Sequence, residues 1–131
     1  MVESISEIYY LAGNKGWVWQ VVMITSGIVL LPFWLEATPD EWQFLPFMSC
    51  GGVMSVGCAP CFRLKLQGWI HYSAAVVCCL SAVAWMLLMG YWAIFAWCCI
   101  GALLLTIVYP KSYMLWIELG VLLSLMVSFN V

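Results

Sequence analysis

The stretch GWIHYSAAVVCCLSAVAWMLLMGYWAIFAWCCIGALLLTIVY, residues 68–109, contains no Asp, Glu, Lys or Arg. As a single helix it would be ~60 Å long, twice the ~30 Å hydrocarbon core of a bilayer. It must therefore turn once. Gly90 sits at its middle and is followed by Tyr91 and Trp92, an interfacial aromatic pair. Two runs joined by a tight hairpin, 68–89 and 91–109, are the expectation.

Working outward from this hairpin, three more apolar runs of similar length appear, at 16–35, 41–60 and 113–131. Each approaches the ~20 residues that a membrane-crossing helix needs. The local signals agree. Thr38-Pro39-Asp40-Glu41 reads as an N-cap, a proline at the first helical position and acids facing the positive end of the helix dipole. Pro60 removes a backbone donor near the end of the second run, and Pro110 stops the fourth. Trp17, Trp19, Trp69 and Trp116 cluster towards one interface and Trp34, Trp42 and Trp92 towards the other, whereas Trp85 and Trp97 sit deeper, as packing residues. Ahead of the first run, residues 3–12 place Ile5, Ile8, Tyr9 and Ala12 on one helical stripe, with Gly13 and Asn14 as C-cap. Its acids disfavour anionic lipid, so this short amphipathic N-terminal helix is expected to dock against protein. The fold class is thus an all-α integral membrane protein, with five transmembrane helices in a single domain over residues 1–131.

Composition agrees. The chain is 66% hydrophobic and only 8% charged, whereas soluble domains average about 25% charged. A net charge of −2 and the absence of a long basic cluster argue against nucleic acid as a partner. The N-terminus carries acids where a signal peptide needs basic residues, so no cleavage is expected. Seven cysteines do not read as a disulfide framework. Cys50, Cys78, Cys79, Cys98 and Cys99 lie inside apolar runs, where Cys acts as a small hydrophobe.

The four basic residues orient the molecule. Lys15 precedes the first run, Arg63 and Lys65 separate the second and third, and Lys111 separates the fourth and fifth, all on one side. Glu36, Asp40 and Glu41 fall on the other. Lys and Arg are retained on the cytoplasmic face, so the N-terminus is expected inside and the C-terminus outside.

Lipid tails give no hydrophobic force between helices, so small residues must allow close contact. The second run offers Gly51 and Ser55, beside Gly52 and Gly57, and the third offers Ala74, Cys78 and Ala82. These two stripes are the expected closest faces, and Gly51→Leu is the substitution expected to separate them.

Gln20, His71 and Glu118 stand out as polar groups inside apolar runs, at a similar shallow depth of ~5–9 Å on the cytoplasmic side. Intramembrane ionisable groups are costly and are usually paired or functional. Two readings remain open. Either the three line an inward-facing pocket for a lipid headgroup, small molecule, ion or proton, or Glu118 accepts hydrogen bonds from His71, Tyr72 or Lys111 and fixes helix positions. His71 is in phase with Ala74, Cys78 and Ala82, so it faces the bundle.

Cys58-Ala-Pro-Cys61 resembles the CxxC of thioredoxin-type redox proteins, over four residues. Membrane thiol oxidoreductases that pass electrons to quinone also place such a pair at a helix end. The resemblance implies a membrane thiol-redox protein using Cys58 and Cys61, with Arg63 and Lys65 nearby to favour a thiolate. Cys58, Cys61, His71 and Glu118 can also be drawn as a zinc ligand set, but nothing in the sequence fixes their mutual distances. No metal or other cofactor is expected. No nucleophile elbow, phosphate-binding glycine loop or paired carboxylates are present, which argues against hydrolysis. The leading expectation is a non-enzymatic membrane component or assembly partner, in contact with membrane lipids and with other membrane proteins or further copies of itself. The competing expectations are the Gln20–His71–Glu118 pocket, as part of a transporter, and the Cys58–Cys61 redox pair.

Overall fold

The structure is a computed structural model that describes residues 4–61 and 63–130. The protein is helical, with no strand among these residues. Among the described residues six α-helices follow one another: α1 Ile8–Leu11, α2 Gly16–Glu36, α3 Phe44–Cys58, α4 Lys65–Leu88, α5 Trp92–Val108 and α6 Tyr113–Ser128. Among the described residues, three helical stretches are long and apolar enough to cross a membrane: Gly13–Glu36, Lys65–Leu88 and Pro110–Ser128. α5 is apolar but shorter, at 17 residues, and α3 has 15. The expected helix over 3–12 is shorter than predicted. A 3-10 turn, Ile5–Glu7, leads into the single turn of α1, and the chain breaks at Gly13, whose φ is +52°. Glu3 and Val131, the outer limits of the first and last expected helices, lie outside the described residues.

The chain divides into two compact units, Tyr9–Trp85 and Met1–Ile8 with Met86–Val131. In the first unit, glycines let α3 approach both of its neighbours. A Cβ on Gly27 of α2 would stand 2.9 Å from the Cys50 carbonyl and 2.6 Å from Met54 Cγ. One on Gly57 of α3 would stand 3.0 Å from Met23 Cβ. On the opposite side of α3, a Cβ on Gly52 would come within 2.8 Å of the Ala74 carbonyl and of Cys78 Cβ on α4. Ser49 Oγ adds a hydrogen bond to the Cys78 carbonyl at 3.1 Å. Contacts this close maximise dispersion and permit hydrogen bonds between helices, which must replace the hydrophobic effect in an apolar solvent.

The expected stripe pairing is therefore present, but its register is off by one. Gly51 meets nothing within 4 Å, and Gly52 is the contact residue. Successive helical residues differ by about 100° of rotation, so in a Gly-Gly doublet only one can point at the partner.

At the other end of α2, Trp34 and Trp85 are each 1% exposed and meet edge to face at 5.4 Å. Edge-to-face contact sets the positive ring edge against the negative face. Thr38 links to both. Its hydroxyl donates to the Trp34 carbonyl at 2.6 Å and accepts from Trp85 Nε1 at 2.8 Å. Thr38 is thus not the N-cap of the next helix, as the sequence suggested. It closes the carbonyl end of α2, a 3-10 turn Asp40–Trp42 follows, and α3 begins only at Phe44. Trp85 is the packing residue expected of it. Trp97 is not: it is 74% exposed on α5.

In the second unit, α4 ends as the opening stretch implies. Gly90 takes φ +85°, Tyr91 N–H bonds the Met86 carbonyl at 2.8 Å and Gly90 N–H bonds the Leu87 carbonyl at 3.3 Å. These paired bonds close the orphan carbonyls of the last turn around a left-handed glycine. α5 starts two residues later. It packs on α6 where Gly120 faces Ala102, a Cβ there standing 2.9 Å from the Ala102 Cβ. Tyr109 and Trp116 have ring centroids 6.0 Å apart.

Candidate functional site

Polar side chains of the first unit gather at the C-terminal end of α3. A helix leaves its last carbonyls without partners inside the helix, and in an apolar surrounding each must find one. Ala59 N–H takes the Ser55 carbonyl at 3.1 Å. Gln20, from α2, donates Nε2–H to the Gly57 carbonyl at 3.4 Å. His71, from α4 and 3% exposed, places Nδ1 2.9 Å from the Ala59 carbonyl, with a further bond to the Val56 carbonyl. A carbonyl only accepts, so Nδ1 carries the proton in the bond to Ala59. Gln20 and His71 thus serve one helix end from two neighbouring helices.

The chain leaves α3 at Cys58, and the CxxC lies on this exit. Cys58 is exposed, Cys61 is half-buried, and both are free thiols. Cys61 N–H donates to Gln67 Oε1 at 3.2 Å, and its thiol donates to the Tyr9 hydroxyl at 3.6 Å. Tyr9 is wedged in turn by the helix that follows it. A Cβ on Gly16 would stand 2.8 Å from its ring, and the Trp19 ring meets it edge to face at 6.1 Å. The neighbouring Tyr10 hydroxyl accepts from Arg63 N–H at 3.1 Å, and the Arg63 guanidinium lies over the Tyr10 ring at 4.2 Å. That distance is well inside cation–π range.

Glu118 belongs to the other unit. It is half-buried on α6, and its Oε2 accepts the Ile5 N–H at 2.6 Å. The acceptor role expected of it is filled by a backbone amide of the N-terminal 3-10 turn. A carboxylate oxygen bonded to N–H is a strong, charge-assisted pairing when ionised. Among the described residues, no group of three or more His, Cys, Asp or Glu side chains is placed to hold a metal ion.

Of the residues singled out in the sequence, Gln20, His71, Cys58 and Cys61 meet at the end of α3, and Glu118 has its partner in the second unit. Tyr9, Tyr10 and Gln67 carried no sequence signal for this cluster. Their partners are a thiol and backbone amides, and a backbone group leaves no trace in residue type. Comparison with protein-family models, with curated proteins and with solved structures finds no match.

Proposed function

We propose that the chain is a five-span integral membrane protein that acts as a non-enzymatic structural component of the bilayer, through lateral association with other membrane proteins or with further copies of itself. One observation carries this reading. The polar groups set within its apolar runs bond to its own backbone: Gln20 donates to Gly57, His71 donates to Ala59 and Glu118 accepts from Ile5. Each fastens a helix end or a terminal segment. Its outward faces are strongly apolar and aromatic, with Trp17, Phe33, Trp69, Trp92, Trp97 and Ile107 all exposed. Side chains of this kind suit lipid tails and neighbouring membrane helices.

The five-span count rests on treating α3 and α5 as crossings. At 1.5 Å per residue they measure about 22 and 26 Å, short of the ~30 Å core. The turns that flank them and local thinning of the bilayer make up the difference. Lys15, Arg63, Lys65 and Lys111 then share the cytoplasmic side, with Glu36, Asp40 and Glu41 opposite.

Native mass spectrometry of the protein extracted in lipid nanodiscs tests the function. The expected result is a defined stoichiometry of two or more copies, or of this chain with a second integral membrane protein. A bare monomer at every lipid composition overturns the reading. A monomer that retains a stoichiometric small molecule moves the function to ligand binding.

A further inference from the structure

The lateral-association reading leaves the CxxC unused, and the geometry around it is specific. Cys58 is the last residue of α3 and its thiol is exposed. Cys61 lies three residues on, with its amide fixed by Gln67 and its thiol donating to Tyr9. Between them, the Ala59 carbonyl is held by His71. Three residues cannot separate two Cα atoms by more than about 11 Å, and a disulfide needs about 4.4–6.8 Å. Closure is thus a local rearrangement of residues 59 and 60.

The same closure has a second effect. The Cys61 thiol bonds the Tyr9 hydroxyl at 3.6 Å, whereas a disulfide sulfur has no proton to donate and accepts only weakly. Closure also fixes this sulfur about 2.05 Å from the Cys58 sulfur, which removes its freedom to follow the Tyr9 hydroxyl. Tyr9 belongs to α1, a single turn of helix whose hold on the first unit includes this contact, the Tyr10–Arg63 bond and the packing on Gly16. So short a helix has almost no intrinsic stability and depends on its docking contacts.

We propose that Cys58 and Cys61 form a reversible dithiol–disulfide couple, a redox modification site whose oxidation frees Tyr9 and loosens α1 from the exit of α3. The oxidant is a low-molecular-weight disulfide of the glutathione type. The exposed Cys58 attacks it as the thiolate, forms a mixed disulfide and expels one thiol. Cys61 then displaces the second. Two S–H bonds are lost and one S–S bond forms in the protein, while the oxidant's S–S bond is reduced to two thiols that carry away the two protons and two electrons. This role does not depend on what the protein associates with in the membrane.

The test treats the full chain in nanodiscs with oxidised glutathione, then combines peptide mapping with amide hydrogen exchange. The expected result is a loss of two hydrogens confined to the Cys58–Cys61 peptide and reversed by dithiothreitol, together with about threefold faster exchange at residues 9–11. Cys58→Ser removes an exposed thiol and leaves the Cys61–Tyr9 contact in place. In that variant, oxidised glutathione is expected to leave exchange at 9–11 unchanged. Failure of the two cysteines to pair overturns the proposal. So does pairing with no change at residues 9–11, or a change that persists in Cys58→Ser.

Discussion

A Cβ built on Gly52 would press on the Ala74 carbonyl and on Cys78 at 2.8 Å, whereas one on Gly51 would enter open space. The neighbours of Gly52 are backbone and the root of a side chain, neither of which can swing aside, so added volume must part α3 from α4. Gly52→Leu is expected to destabilise the protein by about 1–3 kcal/mol or more, the range for overpacking a tight contact. Gly51→Leu is expected to stay within about 0.5 kcal/mol, as other substitutions away from packed features do. Thermal unfolding of the two variants in one detergent separates the cases. The stripe of small residues was legible because its spacing recurs every four residues along each helix. Which glycine of the doublet faces the partner was not, because a rotation of about 100° is undetermined when both candidates are the same residue. Gln20, His71 and Glu118 were expected at a common depth, and of these Gln20 and His71 bond to one helix end. What they bind there is backbone, which side-chain chemistry cannot announce.

Helix ends separate what was legible among the elements from what was hidden. The α4–α5 break was legible because 42 residues without Asp, Glu, Lys or Arg must fold back and Gly90 occupies the middle. The left-handed φ of +85° at Gly90 explains the residue type, since a side chain in that region costs roughly 1–2 kcal/mol. No atom crowds the position, so Gly90→Ala isolates this backbone cost. The expected destabilisation is about 1–2 kcal/mol, read as a lower melting temperature with an unchanged helical circular dichroism spectrum. An equal melting temperature would mean that the turn tolerates another conformation. The α2–α3 connection misled for an identifiable reason. Thr38-Pro39-Asp40-Glu41 has the composition of a helix start, yet the Thr38 hydroxyl turns back to the Trp34 carbonyl and receives the Trp85 indole. A buried indole N–H needs an acceptor, and that need, created 47 residues away in sequence, overrides the local cap.

For the molecule as a whole, the informative pattern is charge. Four basic residues and three acidic loop residues divide between two sides in the five-span reading. Compartment-specific reporters fused after the last residue are expected to place the wild-type C-terminus outside. Arg63→Glu with Lys65→Glu removes half of the basic residues and converts one retained loop into a translocatable one. A mixed population, with a measurable fraction of C-termini inside, is the expected outcome. A C-terminus that remains wholly outside would show that orientation is set elsewhere. The helical class and the approximate helix positions were legible at this scale because apolar runs of about 20 residues read as helices rather than strands. The division into two compact units was not, because it depends on which faces close on one another rather than on how many runs there are.

The side chains that complete the end of α3 also impose an order in time. Gln20 has already been synthesised when α3 appears, but His71 follows Ala59 by twelve residues. At about 5–20 residues per second, that is an interval of roughly 0.6–2.4 s. Until α4 has docked, the Ala59 carbonyl lacks the donor that it has in the folded protein. The end of α3 is therefore completed by the helix that follows it, and a chain truncated before His71 leaves that end open.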